Sequence, residues 1–178
     1  MWNEQIIMML LEGIKDTLYM TLTSTLIGYV IGLPMGILLT VTDKDGIHPN
    51  TAVYKVLDVI ANLIRSVPFL ILLIVLIPFT RFLIGRSYGP TATIVPLVIA
   101  AAPYIARMVE SSLKEVDAGV IEAARSMGAS NFTIVTKVML VEARTSLIVG
   151  ATISLGTILG YSAMAGTVGG GGLGDIAI

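Results

Sequence analysis

The chain has 178 residues, of which 55% are hydrophobic and only 13% are charged, and its mean hydropathy is +0.90. A soluble domain carries about 25% charged residues, so this composition favours a membrane protein. The net charge of −1 and the lack of a basic run argue against a nucleic-acid partner. The absence of cysteine excludes disulfides, thiolate metal sites and cysteine catalysis. The one histidine, His48, lies in a polar loop, where a solvated side chain is the simplest interpretation.

The N-terminal part of the chain predicts a short interfacial helix followed by a first membrane span. Residues 2–15 mix charged residues with apolar residues at helical spacing, which is typical of an amphipathic helix at a membrane surface. Residues 17–42 carry no charge, and this stretch exceeds the ~20 residues that cross a bilayer. Within it, Gly28, Gly32 and Gly36 let another helix approach closely, and packing inside one subunit is the simpler explanation. The N-terminus resembles no cleaved signal, so we expect this span in the mature protein.

Two further spans are predicted, and both contain prolines. Residues 56–80 form the second, in which Pro68 predicts a kink or a broken start. Asp58 and Arg65 are either the headgroup-level end of this helix or a water-facing part of a pathway. Residues 87–106 form the third, and their two prolines predict a bent or short span.

The last uncharged stretch begins at Thr145 as a fourth span. Its glycine-rich end, residues 166–174, predicts a loop or re-entrant turn because glycine does not support a stable helix. The predicted fold is therefore an all-α membrane protein with four transmembrane helices, forming a single domain over residues 1–178.

Charge placement orients these spans. Of the 11 Lys and Arg residues, all but Lys15, Arg81 and Arg86 lie on the side that carries residues 43–55 and 107–144. The positive-inside rule therefore predicts that these two segments are cytoplasmic and that the N-terminus is outside.

Residues 107–144 are the long polar interval of the chain and predict two short amphipathic helices. The first is predicted over residues 115–127, and Gly128 stands where a helix stop with positive φ is needed. Ser130 or Asn131 is the predicted N-cap of the second helix. Such a pair lies parallel to the membrane, either resting on headgroups or docked against another protein.

A pattern in this interval carries a family resemblance. It consists of Glu-Ala-Ala, three further residues and a glycine, followed ten residues later by an apolar residue, any residue and leucine. It resembles the cytoplasmic loop of permease subunits of bacterial ABC importers and implies their type I permease fold. The resemblance also implies a coupling helix that docks in a cleft of a separate ATPase. The matching residues are Glu122, Ala123, Ala124, Gly128, Val138 and Leu140.

Three more segments, residues 65–69, 102–110 and 160–174, resemble methionine-type permeases, so the similarity covers essentially the whole chain. The resemblance implies import of L- or D-methionine, or of another small amino acid, across the bacterial inner membrane. It further implies two copies of this chain, two ATP-binding cassette ATPase subunits that hold ATP and Mg, and a substrate-binding protein or lipoprotein outside.

The sequence departs from the family pattern in two places. Val141 stands where the family usually has proline, and this predicts an altered bend into the following span. The family also has a fifth span after the glycine-rich turn, whereas four are predicted in these 178 residues.

No catalytic residue, metal site or bound cofactor is predicted for this chain. The glycine run is followed by Asp175 rather than by Lys-Ser/Thr, so it does not match a phosphate-binding loop. We expect the substrate to cross between two copies, with Met164 closing a gate at the two-fold axis, although a packing role for Met164 is the simpler alternative. Tyr161, Ser162 and Ser66 are the residues predicted to line the pathway.

Two other classes of membrane protein are alternatives. A secondary transporter typically shows paired repeats and ionisable residues near the bilayer midplane, and neither is visible in this sequence. A membrane scaffold would not need a helix pair around a glycine turn.

Overall fold

The computed structural model describes residues 4–178, and within this range every regular element is helical. Three helices, α1 (Glu4–Thr42), α5 (Pro90–Lys114) and α9 (Arg144–Ala165), are each long and apolar enough to cross a membrane. The bent pair of α2 (Thr51–Ser66) and α3 (Phe69–Val75) provides a fourth candidate span. The predicted all-α membrane fold is confirmed. The elements are α1 (Glu4–Thr42), α2 (Thr51–Ser66), α3 (Phe69–Val75), α4 (Ile77–Ile84), α5 (Pro90–Lys114), α6 (Ala118–Ser126), α7 (Asn131–Thr133), a π-helical segment (Ile134–Met139), α8 (Leu140–Glu142), α9 (Arg144–Ala165), a 3₁₀ turn (Gly166–Val168) and α10 (Leu173–Ile176).

The first helix is continuous, so the prediction of a separate interfacial helix over residues 2–15 is wrong. Residues 2 and 3 lie outside the described range, and from Glu4 onward the chain stays helical to Thr42. No proline separates the charged start from the apolar stretch, and Gly13 does not end the helix because it is buried against α10. The 39 residues of α1 extend for about 58 Å. This is longer than the ~30 Å hydrocarbon core of a bilayer.

A stripe of small residues on α1 faces α5. Gly28, Gly32 and Gly36 are all buried. A Cβ atom on Gly32 would stand 2.6 Å from the carbonyl oxygen of Ala102, and one on Gly36 would stand 2.6 Å from that of Ala106. The glycines therefore allow two backbones to come into contact, as small residues do between membrane helices. Packing within one subunit, the simpler of the two explanations, is confirmed for this stripe.

The predicted second span is broken into several helices. α2 ends at Ser66, and α3 begins at Phe69 after a bend of 102°. Val67 has extended backbone angles, as is usual before a proline, and Pro68 then starts the new direction. The predicted break at Pro68 is confirmed, and residues 56–80 are divided among α2, α3 and α4 rather than forming one continuous helix.

The third span is longer than predicted. α5 contains both prolines of the sequence pattern and continues about two turns beyond the predicted end at residue 106, to Lys114. Residues 107–114 stay helical although several of them are charged or polar. Val109 and Leu113 pack in the core, and Arg107, Glu110 and Lys114 pair their charges at i,i+3 and i,i+4 spacing. The beginning of the polar interval is thus the end of a membrane helix.

The glycine-rich segment forms a turn, as predicted, and it is closely packed. The Leu173 backbone N–H donates to the hydroxyl of Thr17 in α1 at 2.9 Å. The Thr93 hydroxyl of α5 donates to the carbonyl of Gly170 at 3.2 Å. This turn packs the end of α9 against α1 and against the start of α5. Three of its glycines have positive φ, which side chains disfavour: Gly169, Gly171 and Gly172.

Candidate functional site

The first helix of the polar interval is capped at both ends. The Asp117 carboxylate accepts a hydrogen bond from the backbone N–H of Gly119 at 2.8 Å, so α6 begins at Ala118, and the predicted start at residue 115 is wrong. At the other end, Gly128 has a φ of +81°. The predicted helix stop at Gly128 is therefore confirmed. This residue turns the chain between the two helical arms of the pair, which lie before and after it.

The second arm begins at a side-chain cap and includes a π-helix. The Ser130 hydroxyl accepts from the Thr133 N–H at 3.2 Å, so Ser130 rather than Asn131 is the N-cap. The segment Ile134–Met139 is π-helical, a conformation that occurs often at functional sites. Val141, which replaces the family's proline, continues the helix to Glu142 before the chain turns into α9.

The outer side of this helix pair exposes large apolar side chains. Met127 is 82% exposed and Phe132 is 78% exposed, on either side of the glycine turn. Val120 and Ala123 are also exposed. Exposed apolar groups gathered on a polar segment mark a site of interaction with another protein or with the membrane surface. We call these four residues the docking surface.

The six residues of the family pattern separate into two groups. Glu122, Ala123 and Gly128 are exposed. Ala124 is buried, and it belongs to the same hydrophobic cluster as Val138 and Leu140, which are partly buried. The family pattern thus includes residues that pack in the hydrophobic core as well as residues that are exposed. Sequence reasoning missed Met127 and Phe132 as surface residues, although large apolar residues beside a turn glycine were a usable signal.

A cavity of about 500 Å³ separates α6 from the start of the α1–α2 loop and the end of α5. Glu122 and Arg125 line it from α6, and Asp43 and Lys114 line it from the bundle. At its edge, the Arg125 guanidinium donates to the carbonyl oxygen of Ile47 at 2.9 Å. This bond ties the outer end of α6 to the α1–α2 loop.

An ion-pair cluster joins the ends of α1, α2 and α5. It comprises Asp43, Asp58, Arg107, Glu110 and Lys114. Arg107 pairs with Asp58 and, at 2.7 Å, with Glu110, while Lys114 lies 2.8 Å from Glu110 and 2.7 Å from Asp43. The hydrogen bond from Lys114 holds the pKa of Asp43 below its usual range. Asp58 is therefore an ion-pair partner of α5, and Arg65, two turns away on α2, lies over the Tyr104 ring instead.

The predicted gate and pathway residues occupy different environments. Met164 is 46% exposed on α9. Tyr161, one turn earlier, stacks on Phe69 of α3 with ring centroids 4.5 Å apart. The gate role of Met164 and the lining role of Tyr161 stay predictions.

The two predicted serines are engaged elsewhere. Ser162 is buried, its hydroxyl donates to the carbonyl of Leu159 at 2.8 Å, and it faces Thr21 of α1. Ser66 is exposed and donates to the carbonyl of Leu63 at 2.7 Å. The structure thus brings Tyr161 to a cavity between helices, whereas it places neither serine in that lining. A lining role for Ser66 and Ser162 also stays a prediction.

Comparisons with known proteins extend along almost the entire chain. The chain is 47% identical over 170 residues to a probable D-methionine transport system permease protein MetI of Vibrio cholerae, covering 96% of this chain and 76% of the relative. It is 51% identical over 164 residues to the D-methionine transport system permease protein MetI of Escherichia coli K12, covering 92% of this chain and 76% of the relative.

Solved structures of membrane transporters also match this chain over almost its whole length. A chain of the MetNI methionine ABC transporter in an inward-facing conformation has a TM-score of 0.97 and 50% identity, covering 99% of this chain and 82% of that one. An amino acid ABC transporter at 24% identity and a TM-score of 0.78 shares the fold. Residues 8–178 match binding-protein-dependent transport system inner membrane components. The family resemblance found in the sequence is confirmed, and the chain belongs to the family of binding-protein-dependent transport system inner membrane components.

Proposed function

We propose that this chain is the membrane-spanning permease of an ATP-driven methionine importer, in which two copies form the pathway. The observation that carries this proposal is the 51% identity over 164 residues to a D-methionine permease. The helical fold alone would not support a proposal about the substrate, because proteins with one fold have many different functions. Family membership sets aside the alternatives of a secondary transporter and a scaffold.

ATP and Mg are held by the partner ATPase in this proposal, and two ATPase subunits dock on the two docking surfaces. Met127 and Phe132 supply the apolar contacts, because each gains from being removed from water when it enters a cleft. The buried Ala124 and the bond between Arg125 and Ile47 then transmit motion of α6 to the bundle. The six residues of the family pattern act together in this coupling.

Transport follows from movement of the two copies against each other. Closure of the ATPases rocks the spans between inward-facing and outward-facing states, which is a rigid-body transition. Met164 meets its counterpart at the two-fold axis and closes the path. The positive-inside rule places α6 in the cytoplasm and the N-terminus outside, where a substrate-binding protein delivers the amino acid.

Uptake of labelled L- and D-methionine tests the proposal. Cells that lack their own methionine importer are supplied with this chain and its partner subunits, or with the partner subunits alone. We expect uptake only when this chain is present. An assembled complex that transports no methionine would contradict the substrate assignment, and competition by other amino acids would then identify the substrate.

Two variants test the coupling role. Gly128→Pro and Glu122→Lys are expected to abolish methionine uptake while the chain still inserts into the membrane. Transport that survives both changes would show that this segment does not couple the ATPase to the pathway.

A further inference from the structure

A small cavity lies beside the break between α2 and α3. Its volume is about 170 Å³, and side chains of α2, α3, α5 and α9 surround it. Pockets for drug-sized ligands measure roughly 300–1,000 Å³, so this space suits a single small organic molecule. The lining residues that matter here are Arg65, Phe69, Leu72, Ala100, Tyr104 and Tyr161.

Arg65 is the charged group of this lining, and its charge is not neutralised by a neighbouring acid. Among residues 4–178, no carboxylate lies within ion-pair distance of Arg65, whereas Arg107 pairs with both Asp58 and Glu110. The Arg65 guanidinium stands 6.0 Å from the centroid of the Tyr104 ring. Arg65 is exposed at the edge of the cavity. Its guanidinium is therefore accessible to an anionic ligand, and a carboxylate matches its planar fork.

Arg65 lies beyond the ion-pair cluster, on the side of the membrane spans. α2 runs antiparallel to α5, because Tyr54 contacts Glu110 at 3.4 Å and Asp58, one turn later, contacts Arg107. Arg65 is two turns beyond Asp58 on α2, a distance of about 10 Å along the helix. An ionisable side chain on the membrane side of the cluster indicates a functional site.

The remainder of the cavity is aromatic and apolar. The Phe69 and Tyr161 rings stack with a 6° interplanar angle at 4.5 Å and form one wall. Thioether sulfur makes favourable contacts with aromatic rings. Tyr161 is also one helical turn from Met164, so the cavity opens next to the proposed gate.

We propose that this cavity is a substrate subsite within the membrane, in which Arg65 binds the carboxylate of an amino acid. The aromatic wall of Phe69, Tyr104 and Tyr161 holds the apolar or thioether side chain. This inference rests on the proposed function, and it adds the position of a binding site and the chemical group that each part recognises.

Equilibrium binding of labelled L-methionine to the purified complex tests the inference. The complex contains two copies of this chain with their ATPase subunits in lipid nanodiscs, without the binding protein. Arg65→Gln should weaken binding by about tenfold to hundredfold, because a hydrogen-bonded charge pair is lost. Arg65→Lys should retain part of the affinity. Arg86→Gln is the matched control, since Arg86 is exposed in the α4–α5 turn away from the cavity.

A second measurement does not depend on any variant. Methioninol carries a hydroxymethyl group in place of the carboxylate, so it should compete poorly with labelled methionine for the wild-type complex. Equal competition by methioninol, or unchanged binding by an assembled Arg65→Gln complex, would overturn the subsite. So would a wild-type complex that transports methionine but does not bind it without the binding protein. Failure of the wild-type chain to support methionine uptake in cells would instead overturn the proposed function.

Discussion

The α1–α5 interface and the docking surface use apolar sequence in opposite ways. Along α1, glycines remove side chains so that the backbone contacts that of α5. On the helix pair around Gly128, Met127 and Phe132 extend into open space. The first region satisfies its packing within one chain, and the second presents the kind of surface that a partner covers. The two surfaces therefore differ in side-chain size as well as in hydrophobicity: small residues form the α1–α5 contact, and large residues form the exposed docking surface.

The ion-pair cluster lies between these two regions. Lys114 at the end of α5 contacts Asp43 just beyond α1, and both line the cavity under α6. Glu122 and Arg125 of α6 line the same cavity, so charged groups of the helix pair and of the bundle face one another across it. Four predictions separate the contributions of these regions, from the largest expected effect to the smallest.

Gly32→Val should prevent the close approach of α1 to α5. The new Cβ would stand 2.6 Å from a backbone oxygen of Ala102, which cannot move as a flexible side chain can. We expect at least about 3 kcal/mol of destabilisation, at or beyond the upper range for overpacking. Folded yield and thermal unfolding in detergent measure this.

Gly156→Val is the matched control for that change. Gly156 also lies in a membrane helix, but a Cβ atom there has no neighbour within 4 Å. The control should fold like the unmodified chain. Equal stability of the two variants would show that the α1–α5 contact is not as close as described.

The double change Met127→Asp and Phe132→Asp should leave the fold intact and weaken ATPase docking. Each apolar side chain contributes about 1.5–3 kcal/mol when it is buried. The pair should therefore reduce ATPase affinity by at least about a hundredfold. Co-purification with the ATPase and methionine uptake are the measurements.

His48→Asp serves as the control, because His48 is exposed in the α1–α2 loop and lies outside the docking surface. It should bind the ATPase normally. Normal docking by the double variant would place the contact on another face of the helix pair.

Gly128→Ala should have a moderate effect that arises from the backbone alone. A Cβ atom at this position meets nothing within 4 Å, but its φ of +81° is unfavourable for alanine. The cost is roughly 1–2 kcal/mol. Thermal unfolding and uptake assays should show a moderate loss for Gly128→Ala and a smaller loss for Gly128→Asn. An unchanged unfolding temperature for Gly128→Ala would contradict the left-handed turn.

Asp43→Asn should have the smallest effect, and the effect should depend on pH. Lys114 lowers the pKa of Asp43 in the folded chain. The stabilisation is therefore present above the usual carboxylate pKa of about 3.9, and it is lost as the pH falls through the lowered folded value. We expect a difference of at most about 1 kcal/mol at neutral pH. Unfolding temperatures of both proteins should converge under acid conditions, and a difference that persists there would exclude the ion pair as its cause.

Local signals account for what the sequence predicted correctly. Charge-free runs identified α1 and α9, Pro68 marked the break after α2, and Gly128 and Ser130 marked the turn between the two arms. Each of these depends on a few adjacent residues. Two of the boundaries that failed, at residues 107 and 115, depended instead on side-chain pairs and caps that extend or begin a helix.

The sequence by itself thus determined the membrane class, the main helices and the family pattern around Glu122. Only the tertiary structure decided that Arg107 pairs with Asp58, because the two residues lie on different helices, and that Arg65 meets no carboxylate among residues 4–178. It also decided which residues of the helix pair face outward, since Ala124 is buried in a hydrophobic cluster that residues of several helices form together. Helix formation depends on near neighbours, whereas charge neutralisation and exposure depend on how the helices pack.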